Sequence, residues 1–190
     1  RDGQVKMFRE AALGLADAAK ERRDNMQEKI ARVVKIINRP ENKDDHFLLW
    51  HDLEAEREAL CKAIPGCKAV YGSQDDEEAD RVIADFKDGR LKYLAAKPEM
   101  LGEGLNFQYH CHKAIMFIDY RFNDKFQAIA RIYRFMQQHP VDLYLVYAES
   151  EGEIFKSFMQ KWAQHRQMVA KMTDCLLYTS PSPRDATLSR

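Results

Sequence analysis

Gln127, Arg131 and Arg134 stand in the run Gln-Ala-Ile-Ala-Arg-Ile-Tyr-Arg at offsets of four and three residues. At about 100° per residue an α-helix projects all three within an arc of roughly 60°. One amide and two guanidinium groups on a stripe can grasp phosphate oxygens, because the planar guanidinium fork matches them where an ammonium does not. Ile129, Ile132 and Tyr133 fall on the opposite side and are expected to be buried. A solvated basic face is the ordinary alternative. Against it, no Asp or Glu lies three or four residues from either arginine within this stretch, so the usual helical ion pairs are missing.

Four other segments carry chemistry. Gly102-Glu-Gly104-Leu-Asn106-Phe-Gln108 describes a backbone bent close to something, with an amide at its tip; a tight turn explains the glycines equally well. Trp50-His51-Asp52 places polar groups where an apolar run ends, with Asp52 read as the cap of the next helix. Gly72-Ser73 precedes Asp75, Asp76, Glu77 and Glu78, so Ser73 reads first as an N-cap with acids favoured by the helix dipole. A nucleic-acid phosphate could also approach the Gly72 backbone, the Ser73 hydroxyl and Lys97. His110-Cys111-His112 offers three consecutive donors that point in different directions with no second ligand group, so no metal is expected.

The elements that must position these groups follow from periodicity. Apolar residues at three-or-four spacing over 3–38 (Phe8, Ala12, Leu15, Ala19, Met26, Ile30, Val33, Ile37) predict one long helix or two, stopped at Asn38-Arg39-Pro40. Short apolar runs then alternate with helical stretches. Strands are predicted at 47–50, 69–71, 91–95, 114–118 and 143–147, and helices at 53–63, 75–88, 124–136 and 151–171. Strand and helix in turn imply an α/β domain with a mostly parallel sheet and helices on both faces, in which function belongs to loops at the carboxyl ends of the strands. The expected organisation is a helical segment over 1–39, the domain over 40–172, and a disordered tail over 173–190.

Composition bounds the rest. The 190 residues carry 30 Lys plus Arg against 30 Asp plus Glu, so no global field draws the chain to a polyanion and any such partner must be met locally. No apolar run is long enough to span a membrane, and the first residues do not form a signal peptide. A cytoplasmic protein with no membrane partner is expected. Cys61, Cys67, Cys111 and Cys175 lack paired Cys-x-x-Cys spacing, which predicts free thiols. The start at Arg1 inside an apparent helix suggests an internal fragment of a longer protein. The abrupt change of pattern at Cys175-Leu-Leu-Tyr-Thr-Ser-Pro-Ser-Pro-Arg-Asp resembles translated adapter sequence, and 173–190 are read as non-native.

Taken in order, Gly72-Ser73, Lys97-Pro98, Gly102-Glu-Gly104-Leu-Asn106-Phe-Gln108, Gln127-x-x-x-Arg131-x-x-Arg134-Phe-Met-Gln137 and Pro140-Val141 resemble the C-terminal RecA-like lobe of superfamily-two helicases, over about residues 44–171. Within that superfamily the chain looks most like the Swi/Snf-type DNA translocases, in the version carried by phages and prophages, on Ala63-Ile-Pro-Gly66, Lys97-Pro98 and Gly104-Leu-Asn-Phe-Gln108.

The resemblance implies a RecA-like three-layer fold and a role in an ATP-dependent motor. Arg131 and Arg134 take the positions of arginines that reach the nucleotide phosphates across a cleft between two lobes, where a guanidinium can be worth about 10³–10⁵ in rate. Gln127, Gly102, Gly104 and Asn106 then lie beside the ATP, and Trp50, His51, Gly72, Ser73 and Lys97 face the nucleic-acid backbone. The implied partners are DNA rather than RNA and the N-terminal lobe of the same parent, in the cytoplasm of a bacterial or phage-infected cell. Neither the phosphate-cradling Gly-x-x-x-x-Gly-Lys-Ser/Thr loop nor an acidic Mg²⁺ motif of the family's first lobe occurs here. ATP and Mg²⁺ would thus be held mainly by the absent lobe, and this chain alone is expected to be inactive.

One departure from the pattern is Met136, where relatives have glycine, which implies a remodelled helix end. Two other classes stay open: a noncatalytic nucleic-acid or partner-binding module with a decayed nucleotide site, and an unrelated doubly wound domain. The latter would need a nucleophile and base of its own.

Overall fold

The computed structural model describes residues 25–101, 105–118, 122–134 and 136–178, with side chains through 168. The predicted alternation is realised. His46–Trp50 (β1), Cys67–Val70 (β2), Tyr93–Ala96 (β3), Cys111–Phe117 (β4) and Asp142–Val146 (β5) form one sheet in the order β2-β3-β1-β4-β5. All four pairings are parallel. A parallel sheet is covered on both faces, which is why its strands read as continuous apolar runs rather than alternating ones.

The helices are α1 over 25–37, α2 Glu54–Ala63, α3 Asp76–Lys87, α4 Phe122–Ile129 and α5 Gly152–Tyr178. Ile30, Val33, Ile36 and Ile37 of α1 join Leu60 and Ile64, at the end of α2, over one face of the sheet, against Phe47, Leu49, Ala95, Ile115 and Phe117. Phe86 of α3, Ala128 and Ile129 of α4, and Leu101 and Phe107 of the β3–β4 crossing cover the other face, against Leu48, Trp50, Leu94, Ala96, Ala114 and Met116. Each enclosed Val, Leu, Ile, Phe or Met side chain contributes about 1.5–3 kcal/mol. The described part of the 1–39 segment therefore shares one core with the residues after Pro40.

The chain leaves β1 over the first face and leaves β3 and β4 over the second, which makes β1 a topological switch point.

Pro40 ends α1 as its sequence requires, starting a tight turn over Pro40–Asn42. Asn42 is fully enclosed; its amide donates to the Ile36 carbonyl at 2.7 Å and accepts from Lys113 Nζ at 2.5 Å, fastening the end of α1 to β4. Lys113 also pairs with Asp45 at 2.6 Å.

Two helix ends differ from expectation. Helix α4 stops at Ile129 rather than near 136. Helix α5 runs to Tyr178, so the change of pattern at Cys175 does not end it, and the tail expected to be disordered begins inside a helix. The expected caps are also replaced. Leu53 caps α2, with the Glu56 carboxylate accepting from the Asp52 and Leu53 backbone N–H groups at 3.0 Å each. Asp75, not Ser73, caps α3 by accepting from Glu78 N at 3.3 Å. In both places a carboxylate with reach and charge displaces the cap read from the sequence.

Candidate functional site

The end of α4 shows why the Gln127–Arg134 run is not one continuous helix. Successive carbonyls that a further turn would use accept from other donors: Ala130 O from Arg134 Nε at 2.9 Å, Arg131 O from the Phe107 backbone N–H at 3.4 Å, and Ile132 O from Gln137 Nε2 at 3.1 Å. The chain tightens into three-residue turns, with Arg131 N donating to Ala128 O and Ile132 N to Ile129 O, both at 3.1 Å. Met136 then takes φ +72°, the left-handed conformation glycine adopts freely. The departure at Met136 thus keeps a glycine-like backbone at the cost of strain.

The expected burial holds for Ile129 and Ile132, at 6% and 0% exposed, but not for Tyr133, which is 72% exposed because the tightened turns rotate it off the packed face. Gln127 is exposed on α4, while Arg131 and Arg134 are half-buried in the turns beyond it. They do not form a single helical stripe.

Two of the predicted segments nevertheless meet. Arg134 Nη1 donates to Asn106 Oδ1 across 28 residues of sequence, and Phe107 N reaches Arg131 O. Among the described residues no carboxylate pairs with Arg134; its guanidinium is oriented by the neutral oxygens of Asn106 and Ala130. Gln137 ties this turn to the start of β4, donating to Cys111 O at 3.1 Å, and accepts from His139 N at 3.0 Å. The Asn106–Arg134 contact consequently lies at the amino end of β4, not at the carboxyl edge where the sequence argument placed it. The β3–β4 connection crosses the sheet between the two edges, a path no local pattern reveals. Gly102 and Gly104 lie outside the described residues.

The second group of candidates stays at the carboxyl edge. Gly72, exposed, lies beside Met100: a Cβ there would meet its Cε at 3.7 Å. Ser73 is exposed, and Lys97 pairs with Glu54 at 3.0 Å. Trp50 and His51 are enclosed, at 1% and 0% exposed, and neither ring reaches solvent in this conformation. Burial pushes the His51 imidazole down to about 4, against the opposing pull of Glu56 and Glu54, so it is neutral at ordinary pH. Of these five candidates only Gly72 and Ser73 are exposed, and Lys97 is half-buried.

A charged pair that the sequence argument did not assemble sits beside them. Lys125 of α4, fully enclosed, donates to Asp52 Oδ2 at 2.5 Å. Asp52, Lys97, Pro98, Glu99 and Asp124 line a small cleft there. A lysine and an aspartate 73 residues apart carry no spacing signal. His110, Cys111 and His112 do not converge, and among the described residues no group of three or more His, Cys, Asp or Glu side chains is placed to hold a metal. No described helix is long and apolar enough to cross a membrane.

No protein-family model and no curated protein sequence matches the chain. Solved structures do. The C-terminal part of the Fun30 ATPase domain superposes with TM-score 0.59 at 17% identity, covering 68% of this chain and 44% of that one. A Saccharomyces cerevisiae Dbp5 variant bound to a Gle1 variant and IP6 gives TM-score 0.58 at 15% identity over 74% and 38% of the two chains. The C-terminal domain of the same Dbp5 variant, again with Gle1 and IP6, gives 0.58 at 14% identity over 73% and 80%. The chain thus spans less than half of the first two. What is shared is the fold, a RecA-like α/β lobe with a parallel five-stranded sheet and helices around it.

Proposed function

We propose that this chain is the C-terminal lobe of an ATP-dependent DNA helicase or translocase of the Swi/Snf type, in the version found in phages and prophages. Its Arg131 and Arg134 act on an ATP held mainly by a separate N-terminal lobe. The observation that carries the reading is the Arg134–Asn106 hydrogen bond, which joins the arginine run to the glycine-loop segment through a guanidinium facing no carboxylate among the described residues.

The residues fit the group. In-line phosphoryl transfer spreads charge over equatorial oxygens, and a pre-oriented guanidinium stabilises that charge without reorganising at the moment of reaction. Asn106 and the Ala130 carbonyl hold Arg134 at Nη1 and Nε, fixing the fork before a nucleotide arrives. Arg131 is anchored through its own carbonyl to Phe107. ATP with Mg²⁺ supplies the scissile phosphoanhydride; this chain orients and neutralises. At the other edge Gly72, Ser73 and Lys97 offer a backbone approach, a hydroxyl and an ammonium, groups suited to positioning a nucleic-acid strand and not to reading its sequence.

The test uses the two-lobe parent protein. Arg134→Ala should lower DNA-stimulated ATP hydrolysis by about 10³–10⁵ with the circular dichroism unchanged, and Arg134→Lys should restore only part of it because the ammonium lacks the fork. A folded Arg134→Ala protein with wild-type turnover would overturn the assignment and favour a noncatalytic binding module.

A further inference from the structure

The turn from α2 to β2 holds two thiols that the proposed nucleotide and DNA contacts leave unused. Cys61 lies in the last turn of α2 and is half-buried; Cys67 opens β2 and is buried. Their sulfurs are 3.9 Å apart. The residues between them set this distance. Ile64 N donates to Leu60 O at 3.0 Å, Cys67 N donates to Ile64 O at 3.1 Å, and Gly66 supplies φ +79°, so the chain reverses tightly and brings both Cβ atoms to one side. A disulfide needs sulfurs about 2.05 Å apart, so closing the gap calls for an approach of about 2 Å.

We propose that Cys61 and Cys67 form a redox modification site, a dithiol that a low-molecular-weight disulfide converts to an intramolecular disulfide. The Cys61 thiolate attacks one sulfur of the oxidant RSSR, forming a mixed disulfide and expelling RS⁻, which takes up a proton. The Cys67 thiol, losing its proton, then attacks Cys61 Sγ and expels the second RS⁻. Two protein thiols are oxidised and one RSSR is reduced to two RSH. Cys61 is the attacking group on two grounds. It is the more accessible sulfur, and its thiol is brought down, chiefly because Cys67 can donate a hydrogen bond to the thiolate, with Arg57 and Lys68 adding positive potential against burial. The same bond, with burial, pushes Cys67 up. Cys111, held at about 12 by burial on the other face of the sheet, serves as an internal control.

The cross-link would tie the end of α2 to β2. Arg57 of α2 already lies 4.2 Å over the ring of Tyr71, just after β2. Oxidation therefore acts on the element joining the Trp50-His51 loop to Gly72-Ser73, independently of whether ATP is the ligand at Arg134.

The 190-residue chain is incubated with oxidised glutathione, blocked with an alkylating agent and digested with trypsin, which cuts after Arg57, Lys62 and Lys68. The expected product is peptide Glu58–Lys62 joined to Ala63–Lys68, with an intact mass lower by two hydrogens, no Cys111 modification, and full reversal by dithiothreitol. Cys67→Ser should arrest the reaction as a glutathione adduct on Cys61. A stable adduct on either cysteine in the wild type, a cross-link to Cys175, or two unreacted thiols under oxidant excess would each overturn the proposal; none of these readings depends on the variant folding.

Discussion

Acidification should destabilise this fold through His51 alone by about 2 kcal/mol between about pH 7 and about pH 4.5. The ring is fully enclosed, and neither nitrogen has a hydrogen-bond partner among the described residues. Burial is the largest cause lowering it from 6.5 to about 4, with Lys97 and Arg57 reinforcing the shift and Glu56 and Glu54 opposing it. Unfolded, the imidazole takes up its proton near 6.5; folded, only near 4. Between those values the unfolded state binds more protons, so stability rises with pH. His51's contribution is fully present above the unfolded value, is lost as pH falls through the window, and levels off below the folded one. At ~1.4 kcal/mol per unit the whole gap is worth about 3 kcal/mol, of which about 2 is spent by pH 4.5. Urea unfolding of the wild type and His51→Leu across the window isolates it, since carboxylates titrate in both proteins and cancel in the difference. The wild type should lose about 2 kcal/mol more than the variant over the range. Parallel curves would refute the reasoning and mean that the ring is solvated or paired.

Three further outcomes are expected. Lys125→Ala should cost about 3–5 kcal/mol by urea unfolding, because it removes the fully enclosed cation of a buried ion pair, and Lys125→Met with Asp52→Leu should recover most of that loss; a single variant within about 1 kcal/mol of wild type would show that the pair is not structural. Met136→Gly should be neutral or stabilising by up to about 1 kcal/mol, since it relieves the left-handed strain of a half-exposed side chain, while Met136→Val should destabilise by a similar amount; thermal melts that rank valine with glycine would reject the strained turn. The 190-residue chain alone should show no DNA-stimulated ATP hydrolysis above buffer, and measurable turnover abolished by Arg134→Ala would mean that it carries a complete site.

Which features the sequence disclosed follows from the range over which each is determined. The five strands and four helices after Pro40 were legible because their signals are local: Phe47-Leu48-Leu49-Trp50 is a strand wherever a two-sided sheet receives it, and the apolar spacing around Ala128 and Ile129 marks a packed helix face. Asn106 and Arg134 were legible as candidates by residue type, but their hydrogen bond depends on a crossing that carries Asn106 from the carboxyl edge of β3 to the amino end of β4. That crossing also accounts for the error in the helix. Helical periodicity past Ile129 is real in the sequence, yet the turn is decided by where the Arg131 carbonyl goes, and it goes to Phe107, on the crossing segment. The same logic hid the Asp52–Lys125 pair, because Asp52 reads as a cap until Glu56 is seen to take that task and a lysine on a distant helix to claim the carboxylate. Periodicity settles which face a residue occupies. It does not settle which of several satisfiable backbone and side-chain partners a polar group takes, and at Arg134 that choice separates a solvated arginine from one aimed in advance.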